Sequence, residues 1–217
     1  MEIEKPNVNI RSFAASDIPY VVQIHIQAFP NNRSTRLGRR FLSAEYRWFL
    51  ENHSDLAFVC ETSERIVGFV VGAAPSYGYS IFLATIPMII LSLITHPWLL
   101  FNPIIFSDAA TYVRSLLTRR PKQKKNNLLP PVQTTKRVSL ASIAVSSNFR
   151  GQALGQKLLA VFEEQALKLG FTSLGLTVNY ENDAARKAYE RAGWILRLAK
   201  NGKAHYRKQI PNLDEMA

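Results

Sequence analysis

The chain of 217 residues has the size and composition of one globular domain, with 47% hydrophobic and 20% charged residues, which excludes intrinsic disorder. Its 27 Lys and Arg against 16 Asp and Glu give a net charge of +11, which favours anionic partners: nucleic acid, anionic lipid or phosphorylated small molecules. The single cysteine, Cys60, excludes a disulfide within the chain and lies in an apolar run, so we expect a buried structural thiol. No Cys/His spacing typical of zinc occurs, and we expect no metal. The first residues are polar and lack the apolar core of a signal peptide, so we expect a cytoplasmic protein.

Two helices are predicted after a short first strand at residues 8–11. The first begins at Ser16-Asp17 and ends before Pro30, and it carries His25 on its inner side. That histidine is interpreted either as a core residue with a satisfied hydrogen bond or as a catalytic base. The second helix is predicted as one element from Arg33 to Glu51. Its outer face is predicted to carry five arginines: Arg33, Arg36, Arg39, Arg40 and Arg47. They are interpreted either as a solvated surface or as residues that recognise an acidic or phosphorylated acceptor.

A hairpin of two strands, residues 56–61 and 66–72, follows the helices. Glu61 ends its first strand, as a solvated hairpin residue or as a candidate base.

The next segment, residues 76–135, is interpreted as an insertion, because no loop of this length is expected without structure of its own. Residues 66–107 contain no Asp, Glu, Lys or Arg, and the core of the apolar part is 81–106. Pro87, Pro97 and Pro103 are expected to kink or end helices, which argues against a membrane-spanning helix. Four alternatives remain open: a lid over the acceptor site, a homodimer interface, a wedge at an anionic membrane surface, or a helical hairpin packed onto the domain. Basic residues flank the apolar part: Arg114, Arg119, Arg120, Lys122, Lys124, Lys125, Lys136 and Arg137. Aromatic residues are not interleaved with these charges, so we do not expect nucleic-acid binding.

A strand from Val138 to Val145 then leads through a polar turn into residues 150–156, which are predicted to open a helix that ends at Gly170. The free N–H groups of a helix start can bind an anion such as pyrophosphate where side chains are small. Gly151, Ala153 and Gly155 are small, and Arg150 adds a positive charge. Two glycines that ease tight packing are the alternative interpretation.

The last predicted elements are a strand at residues 174–178, a turn at 179–183, a short helix at 184–191 that carries Tyr189, and a hairpin about Asn201-Gly202. Gly193-Trp194 closes the short helix.

Two motifs in this half of the chain resemble those of the GCN5-related N-acetyltransferase (GNAT) family. Arg150-x-x-Ala153-x-Gly155 resembles the pyrophosphate-binding pattern Arg/Gln-x-x-Gly-x-Gly/Ala, with alanine in place of its first glycine. Asn182-x-x-Ala185-x-x-x-Tyr189-Glu190-x-x-Gly193-Trp194 resembles the second signature of the family. The resemblance covers about a quarter of the chain. It implies an α/β fold: a mixed, mostly antiparallel central sheet with helices on both faces, here interrupted by a long apolar insertion between strands three and four.

The resemblance also implies roles for particular residues. Tyr189 would protonate the departing thiolate, the N–H of Val145 would polarise the thioester carbonyl, and the backbone of Ile143 and Val145 would pair with the pantetheine arm. Asn182 would fix that arm or the start of the last helix. The implied acetyl-CoA contacts are Ile143, Ala144, Val145, Arg150, Gly151, Gln152, Ala153, Leu154, Gly155, Gln156 and Asn182. The strand offers Ser142 but no carboxylate as a base, so Glu61, His25 and a water chain stay open.

The implied reaction is acetyl transfer from acetyl-CoA to a primary amine of a small molecule. Chains with this layout resemble acetyltransferases of bacterial surface-polysaccharide assembly, which suggests an amino sugar as acceptor. A protein or peptide amine is one alternative, and a coenzyme A-binding regulatory protein without turnover is another.

Overall fold

The computed structural model describes residues 8–63, 65–75, 77–98 and 136–211. In these ranges seven strands form one sheet. Their spatial order is β1 (Asn9–Ser12), β2 (Ala57–Glu61), β3 (Ile66–Ala73), β4 (Arg137–Val145), β5 (Ser173–Asn179), β7 (Lys203–Gln209) and β6 (Ile195–Lys200). Neighbouring strands are antiparallel except for β4 and β5, which run parallel. Helices cover both faces, so the expected mixed and mostly antiparallel architecture is confirmed.

The amino-terminal elements are held together by a buried carboxylate. Strand β1 is Asn9–Ser12, and helix α1 is Ile18–Ala28. Between them, Asp17 accepts hydrogen bonds from Nη1 and Nη2 of Arg11 at 2.6 and 2.9 Å. Because Arg11 sits in the sheet, this pairing fixes where α1 begins, and the helix then buries Val21, Val22 and His25.

The single helix predicted from Arg33 to Glu51 is wrong, because the structure has two helices there. Helix α2 is Arg33–Arg36, and α3 is Arg39–His53. Gly38 lies between them with a φ of +94°, a backbone conformation that glycine adopts without steric cost and that ends a helix. Helix α3 buries Leu42, Tyr46, Trp48 and Phe49 in the core against the sheet, whereas Phe41 packs with Leu37 in a separate cluster.

Strands β2 (Ala57–Glu61) and β3 (Ile66–Ala73) form the predicted hairpin, and Cys60 is buried in β2 as expected. Helix α4, Tyr77–Thr95, follows β3 as the start of the predicted insertion. Pro87 lies inside this helix rather than at its end. One missing N–H bond is offset there by the rest of the helix and by its packing on α3, where Ser92 Oγ donates to Leu37 O at 2.8 Å. Residues 99–135 of the insertion lie outside the described residues.

Within the described ranges, α4 is the helix that meets the length and composition of a membrane span: an 18-residue window of it has a mean hydropathy of 1.9 and is 17% buried. A core helix of a soluble protein meets the same criteria.

Strand β4 (Arg137–Val145) runs in the centre of the sheet, and helix α5 (Leu154–Lys168) packs on it and on β3. The contact is close at Gly72, where a Cβ atom would lie 2.3 Å from Cε2 of the buried Phe162 ring. Gly170 follows the helix with a φ of +74°, which confirms the predicted C-cap.

The last elements are β5 (Ser173–Asn179), α6 (Asp183–Arg191), β6 (Ile195–Lys200) and β7 (Lys203–Gln209). Glu163 of α5 ties this end to the core, because it accepts hydrogen bonds from Trp194 Nε1 at 2.7 Å and from Lys208 Nζ at 2.6 Å. The two core clusters show that α5 and α6 cover one face of the sheet and that α1 and α3 cover the other.

Candidate active site in the opening between β4 and β5

The two parallel strands of the sheet separate part of the way along their length. Pairing of β4 with β5 runs from Arg137 opposite Ser173 to Leu140 opposite Leu176 and then stops. Beyond it lies a groove of about 200 Å³, here called the strand groove. Its lining includes Ala141–Ile143 of β4, Thr177–Asn179 of β5 and Tyr189 of α6.

Backbone groups of β4 point into this opening. Ser146 N–H donates to Val67 O at 2.8 Å, and antiparallel strands alternate their bonding side residue by residue. Ala144 and Ser142 therefore direct their backbone groups toward β3, whereas Val145 and Ile143 direct theirs toward the opening. The N–H groups of Ile143 and Val145 thus face the opening, where an extended ligand could pair with them as one more strand would.

Residues 150–156 were predicted to open a helix, but the first four of them form a loop instead. Helix α5 begins at Leu154, because Gly151 and Ala153 both have left-handed backbone with φ of +81° and +59°. The side chain of Leu154 is buried, whereas Gly151, Gln152, Ala153 and Gln156 are exposed. The unpaired N–H groups of the first turn are thus presented at the surface, next to small residues. Arg150 Nε donates to Val145 O at 3.4 Å, so its guanidinium lies between loop and strand.

Tyr189 projects from α6 into the strand groove and is 9% exposed. Its ring centroid lies 6.2 Å from that of Trp194 and 6.1 Å from that of Tyr206. Burial raises the pKa of its phenol to about 12, so the hydroxyl keeps its proton at neutral pH. The groove therefore contains a proton donor.

Asn182 lines the same groove and caps α6, where its Oδ1 accepts from Ala185 N–H at 3.1 Å. The second of its two expected roles, fixing the start of the last helix, is thus observed.

A second cavity of about 400 Å³, here called the inner cavity, adjoins the strand groove. Asn32, Ala141 and Ser142 line both. The other polar residues that line the inner cavity come from α1, α2 and α3: His25, Arg33, Ser34, Glu45 and Tyr46. The first turn of α4 completes the wall with Tyr77, Gly78 and Ile81.

The polar groups of the inner cavity are held in a network. The hydroxyl of Tyr46 lies 2.6 Å from Nδ1 of His25 and also bonds to Ser142. Burial lowers the pKa of His25 to about 4, so its imidazole is neutral at pH 7. Burial raises the pKa of Glu45, while a hydrogen bond with Ser34 and the charge of Arg33 oppose that rise. Burial likewise raises the pKa of Tyr46.

Several sequence candidates end up apart from these cavities or in a different role. The carboxylate of Glu61 bonds to Arg11 Nε at 2.8 Å in an ion pair between β1 and β2, and it lines neither cavity. Arg33 lies at the inner cavity rather than on the outer face of a helix, because α2 ends before α3 begins. In residues 8–63, 65–75, 77–98 and 136–211, no three His, Cys, Asp or Glu side chains are grouped as a metal site.

Sequence reasoning missed Glu45 and Tyr46. Phe41, Glu45 and Phe49 are spaced by four residues, so the carboxylate stands in the middle of the buried stripe of α3. A carboxylate at such a position is a signal for a functional or paired group, and it is visible in the sequence.

The sheet thus opens between two parallel strands, with the start of α5 on one side and the phenol of Tyr189 on the other, as the resemblance to the GNAT family implies for an acyl-CoA site. The sequence model of the acetyltransferase (GNAT) family matches residues 109–194. This match spans less than half of the chain, so it shows similarity to the family over these residues, and solved acetyltransferases share the fold. No curated protein matches the sequence.

Solved structures with the same fold include three that cover nearly the whole chain. PH1933 of Pyrococcus horikoshii OT3 has a TM-score of 0.60 at 15% identity, with 94% of this chain and 99% of that one covered. YncA of Salmonella typhimurium, solved with its cofactor acetyl-CoA, has a TM-score of 0.56 at 13% identity, with 94% of each chain covered. The ribosomal-protein-alanine N-acetyltransferase of Brucella melitensis has a TM-score of 0.55 at 17% identity, with 93% and 99% covered.

Proposed function

We propose that this protein transfers the acetyl group of acetyl-CoA to a primary amine of a small molecule, with the cofactor in the strand groove. The observation that carries this proposal is the opening of the sheet beyond Leu140 and Leu176, with Tyr189 inside it. The backbone of Ile143 and Val145 pairs with the pantetheine arm, and the N–H of Val145 polarises the thioester carbonyl. Ala144 lies between them and pairs with Phe69 of β3.

The pyrophosphate is held by residues 150–156 at the start of α5. The helix start supplies backbone N–H groups and the positive end of the helix dipole, and Arg150 supplies a charge. Asn182 holds the pantetheine arm from the other side, next to the cap that it forms. Tyr189 donates its proton to the departing thiolate. When bound, acetyl-CoA would supply the acetyl group as a reactive thioester.

An acceptor that carries a negative charge is supported by a third depression, of about 390 Å³. Arg137, Arg197 and Arg207 line it, and it shares Leu140, Ala141, Leu176 and Thr177 with the strand groove. Fixed cations next to the reaction centre favour phosphorylated acceptors. An amino sugar linked to a nucleotide or lipid phosphate has both the amine and the anion.

A protein or peptide amine is the second candidate, because the Brucella neighbour is named for a ribosomal protein. The inner cavity, walled by α1, α3 and α4, favours the small molecule over an extended peptide. A coenzyme A-binding regulatory protein without turnover is the third candidate, and alanine at position 153 is compatible with it.

Helix α4 provides a surface for an anionic membrane. Its exposed side carries Leu83, Ile90 and Ile94, which are 44%, 53% and 72% exposed. Arg39, Arg40 and Arg47 of α3 line a surface depression together with Ala84 and Met88 of α4. Apolar side chains beside arginines complement the acyl and phosphate layers of a lipid surface. Pelleting with liposomes that contain phosphatidylglycerol, but not with neutral ones, tests this contact. A concentration-dependent dimer that does not pellet would contradict it in favour of a second copy of the chain.

The test of the function begins with calorimetric titration of acetyl-CoA. Binding in the micromolar range is expected, and Arg150→Glu should weaken it at least about tenfold. Lys200→Glu, a charge reversal at an exposed position of β6, is the control and should bind as the wild type does. Absence of binding to the wild type would contradict the proposed function.

Thiol release with D-glucosamine, with its UDP-linked form and with a tripeptide then separates the candidates. Preference for the UDP-linked sugar, with KM raised by Arg207→Glu for that substrate alone, supports the charged acceptor. Faster turnover of the tripeptide favours the second candidate, and tight binding with no turnover favours the third.

A further inference from the structure

The inner cavity holds a carboxylate that the fold leaves without a full set of partners. Glu45 bonds to Ser34, but its Oε2 atom is buried and has no partner among the described residues. An unpaired oxygen of a buried carboxylate is costly, so such an atom points to a ligand that supplies a donor. Of the described residues that line the inner cavity and the strand groove, Glu45 is the one carboxylate.

A second unpaired atom faces the same space. His25 is 4% exposed, and Nδ1 of its ring is engaged by Tyr46, whereas Nε2 is buried and has no partner among the described residues. With Nδ1 accepting from Tyr46, Nε2 carries the proton, and with Nδ1 donating, Nε2 accepts. In either tautomer the ring offers one hydrogen bond to a polar group in the cavity.

These atoms are connected with the place where the thioester would lie. Ser142 bonds to Tyr46, and it lines both the inner cavity and the strand groove together with Asn32 and Ala141. A molecule that reaches the reaction centre from the inner cavity therefore passes these three residues.

We infer that Glu45 is the general base for the acceptor, and that the inner cavity takes a small primary amine with a hydroxyl or carbonyl group that bonds to His25 Nε2. This inference rests on the proposed function. It assigns a base that neither the strand nor the recognised motifs supply.

The step balances with the groups present. The ammonium gives one proton to Glu45, directly or through one water, and the freed nitrogen lone pair forms a C–N bond with the thioester carbon. The C–S bond breaks, its electron pair goes to sulfur, and Tyr189 protonates that sulfur. The second proton on the new amide nitrogen then restores Tyr189, and Glu45 returns its proton to water.

The charges around Glu45 suit this role. Burial favours the protonated form of Glu45 and raises its pKa. The positive charge of Arg33 favours the ionised form and opposes that rise. The other titratable groups at the cavity are His25 of α1, Tyr46 of α3 and Tyr77 of α4. His25 is neutral, so it does not compensate the charge of the carboxylate.

The test compares wild type, Glu45→Gln and Glu45→Asp in the full chain, with D-glucosamine and 2-aminoethanol as acceptors. We expect kcat/KM of Glu45→Gln to fall about 10²- to 10³-fold at pH 7 and to recover to within about tenfold of wild type at pH 10, where free amine is abundant. Glu45→Asp keeps the charge, so it should retain the acidic limb of the pH profile at an intermediate rate. Acetyl-CoA affinity should be unchanged in both variants.

Glu51→Gln, at an exposed position of the same helix, is the matched control and should behave as wild type. An unchanged pH profile in Glu45→Gln overturns the inference while leaving the proposed function intact. Wild type that binds acetyl-CoA but acetylates neither probe also overturns it. Loss of acetyl-CoA binding by the wild type itself contradicts the proposed function instead, so the two failures are distinguishable.

Discussion

The hydroxyl of Tyr46 and Nδ1 of His25 lie 2.6 Å apart in the interior and join helix α3 to helix α1. His25 also packs edge-on against Phe29, with ring centroids 4.9 Å apart. This setting explains both the neutral state of the imidazole and the position of Tyr46 next to Ser142. One pair of residues thus fixes a wall of the inner cavity.

The buried imidazole makes stability depend on pH. The pKa of His25 is lowered from 6.5 to about 4, so the unfolded state binds this proton first as the pH falls. The free energy of unfolding should therefore fall between pH 6.5 and pH 4, by roughly 3 kcal/mol at 1.36 kcal/mol per pH unit. Urea denaturation across this range should show a flatter dependence for His25→Asn, whose amide can replace Nδ1. His96→Asn removes an exposed imidazole, and a slope changed equally by both variants would contradict the assignment.

Removal of the Tyr189 hydroxyl should separate chemistry from binding. Because the phenol has a pKa of about 12, it is a proton donor over the whole working range, and Tyr189→Phe should lower kcat by about 10²-fold or more. Acetyl-CoA affinity by calorimetry should not change. Tyr180→Phe, at a 45% exposed position, is the control. Turnover of Tyr189→Phe at the full rate would rule out the acid role.

Ala153 is held in a conformation that alanine disfavours. Its φ is +59°, and the left-handed region costs an L-residue with a Cβ about 1 kcal/mol or more. We expect Ala153→Gly to stabilise the chain by roughly 0.5 kcal/mol, since glycine relieves the strain but loses more entropy on folding. The midpoint of urea unfolding measures this, and a destabilised variant would show that the methyl group packs usefully.

Gly155 should separate stability from cofactor affinity. A Cβ there would lie 4.0 Å from Val145 Cγ2, so alanine fits, and its helix propensity favours α5 by up to about 1 kcal/mol. The added methyl would stand before the first-turn N–H groups, so acetyl-CoA should bind at least about tenfold more weakly to Gly155→Ala. S-acetylpantetheine lacks the pyrophosphate and should be used equally well by both proteins. If Gly155→Ala lost activity equally with acetyl-CoA and with S-acetylpantetheine, the pyrophosphate would not bind at the start of α5.

The contact between Gly72 and Phe162 should tolerate no methyl group. A Cβ at Gly72 would lie 2.3 Å from the ring, so Gly72→Ala should destabilise the chain by about 1–3 kcal/mol. Adding Phe162→Leu should recover part of this loss, which a double-mutant cycle in urea measures. Gly175→Ala, where the nearest atom lies 4.0 Å away, is the strand-glycine control.

Local patterns were sufficient for the half of the chain that holds the cofactor motifs. The alternation and the small residues of 138–156 predicted a strand, a tight loop and a helix, and the motif at 182–194 predicted the capped helix with Tyr189. The predicted start of the helix at Arg150 was wrong because Ala153 adopts a left-handed backbone conformation, which alanine disfavours and the sequence does not indicate. The prediction of a single helix at 33–51 was wrong because the apolar periodicity continues past Gly38, and a lone glycine does not by itself indicate a break. In the structure Gly38 adopts a positive φ and separates two helices.

The sequence by itself predicted the type of sheet through its two family-like motifs. It also placed the loop before α5 and the helix that carries Tyr189, because such local elements depend on neighbours within a few residues. Only the tertiary structure decided that Glu45, His25 and Ser142 line one cavity beside the opening of the sheet. The protonation of these groups depends on their removal from water, and that is set by how α1, α3 and α4 pack against β4. Such burial is a property of contacts between distant segments, so no local pattern in the sequence contains it.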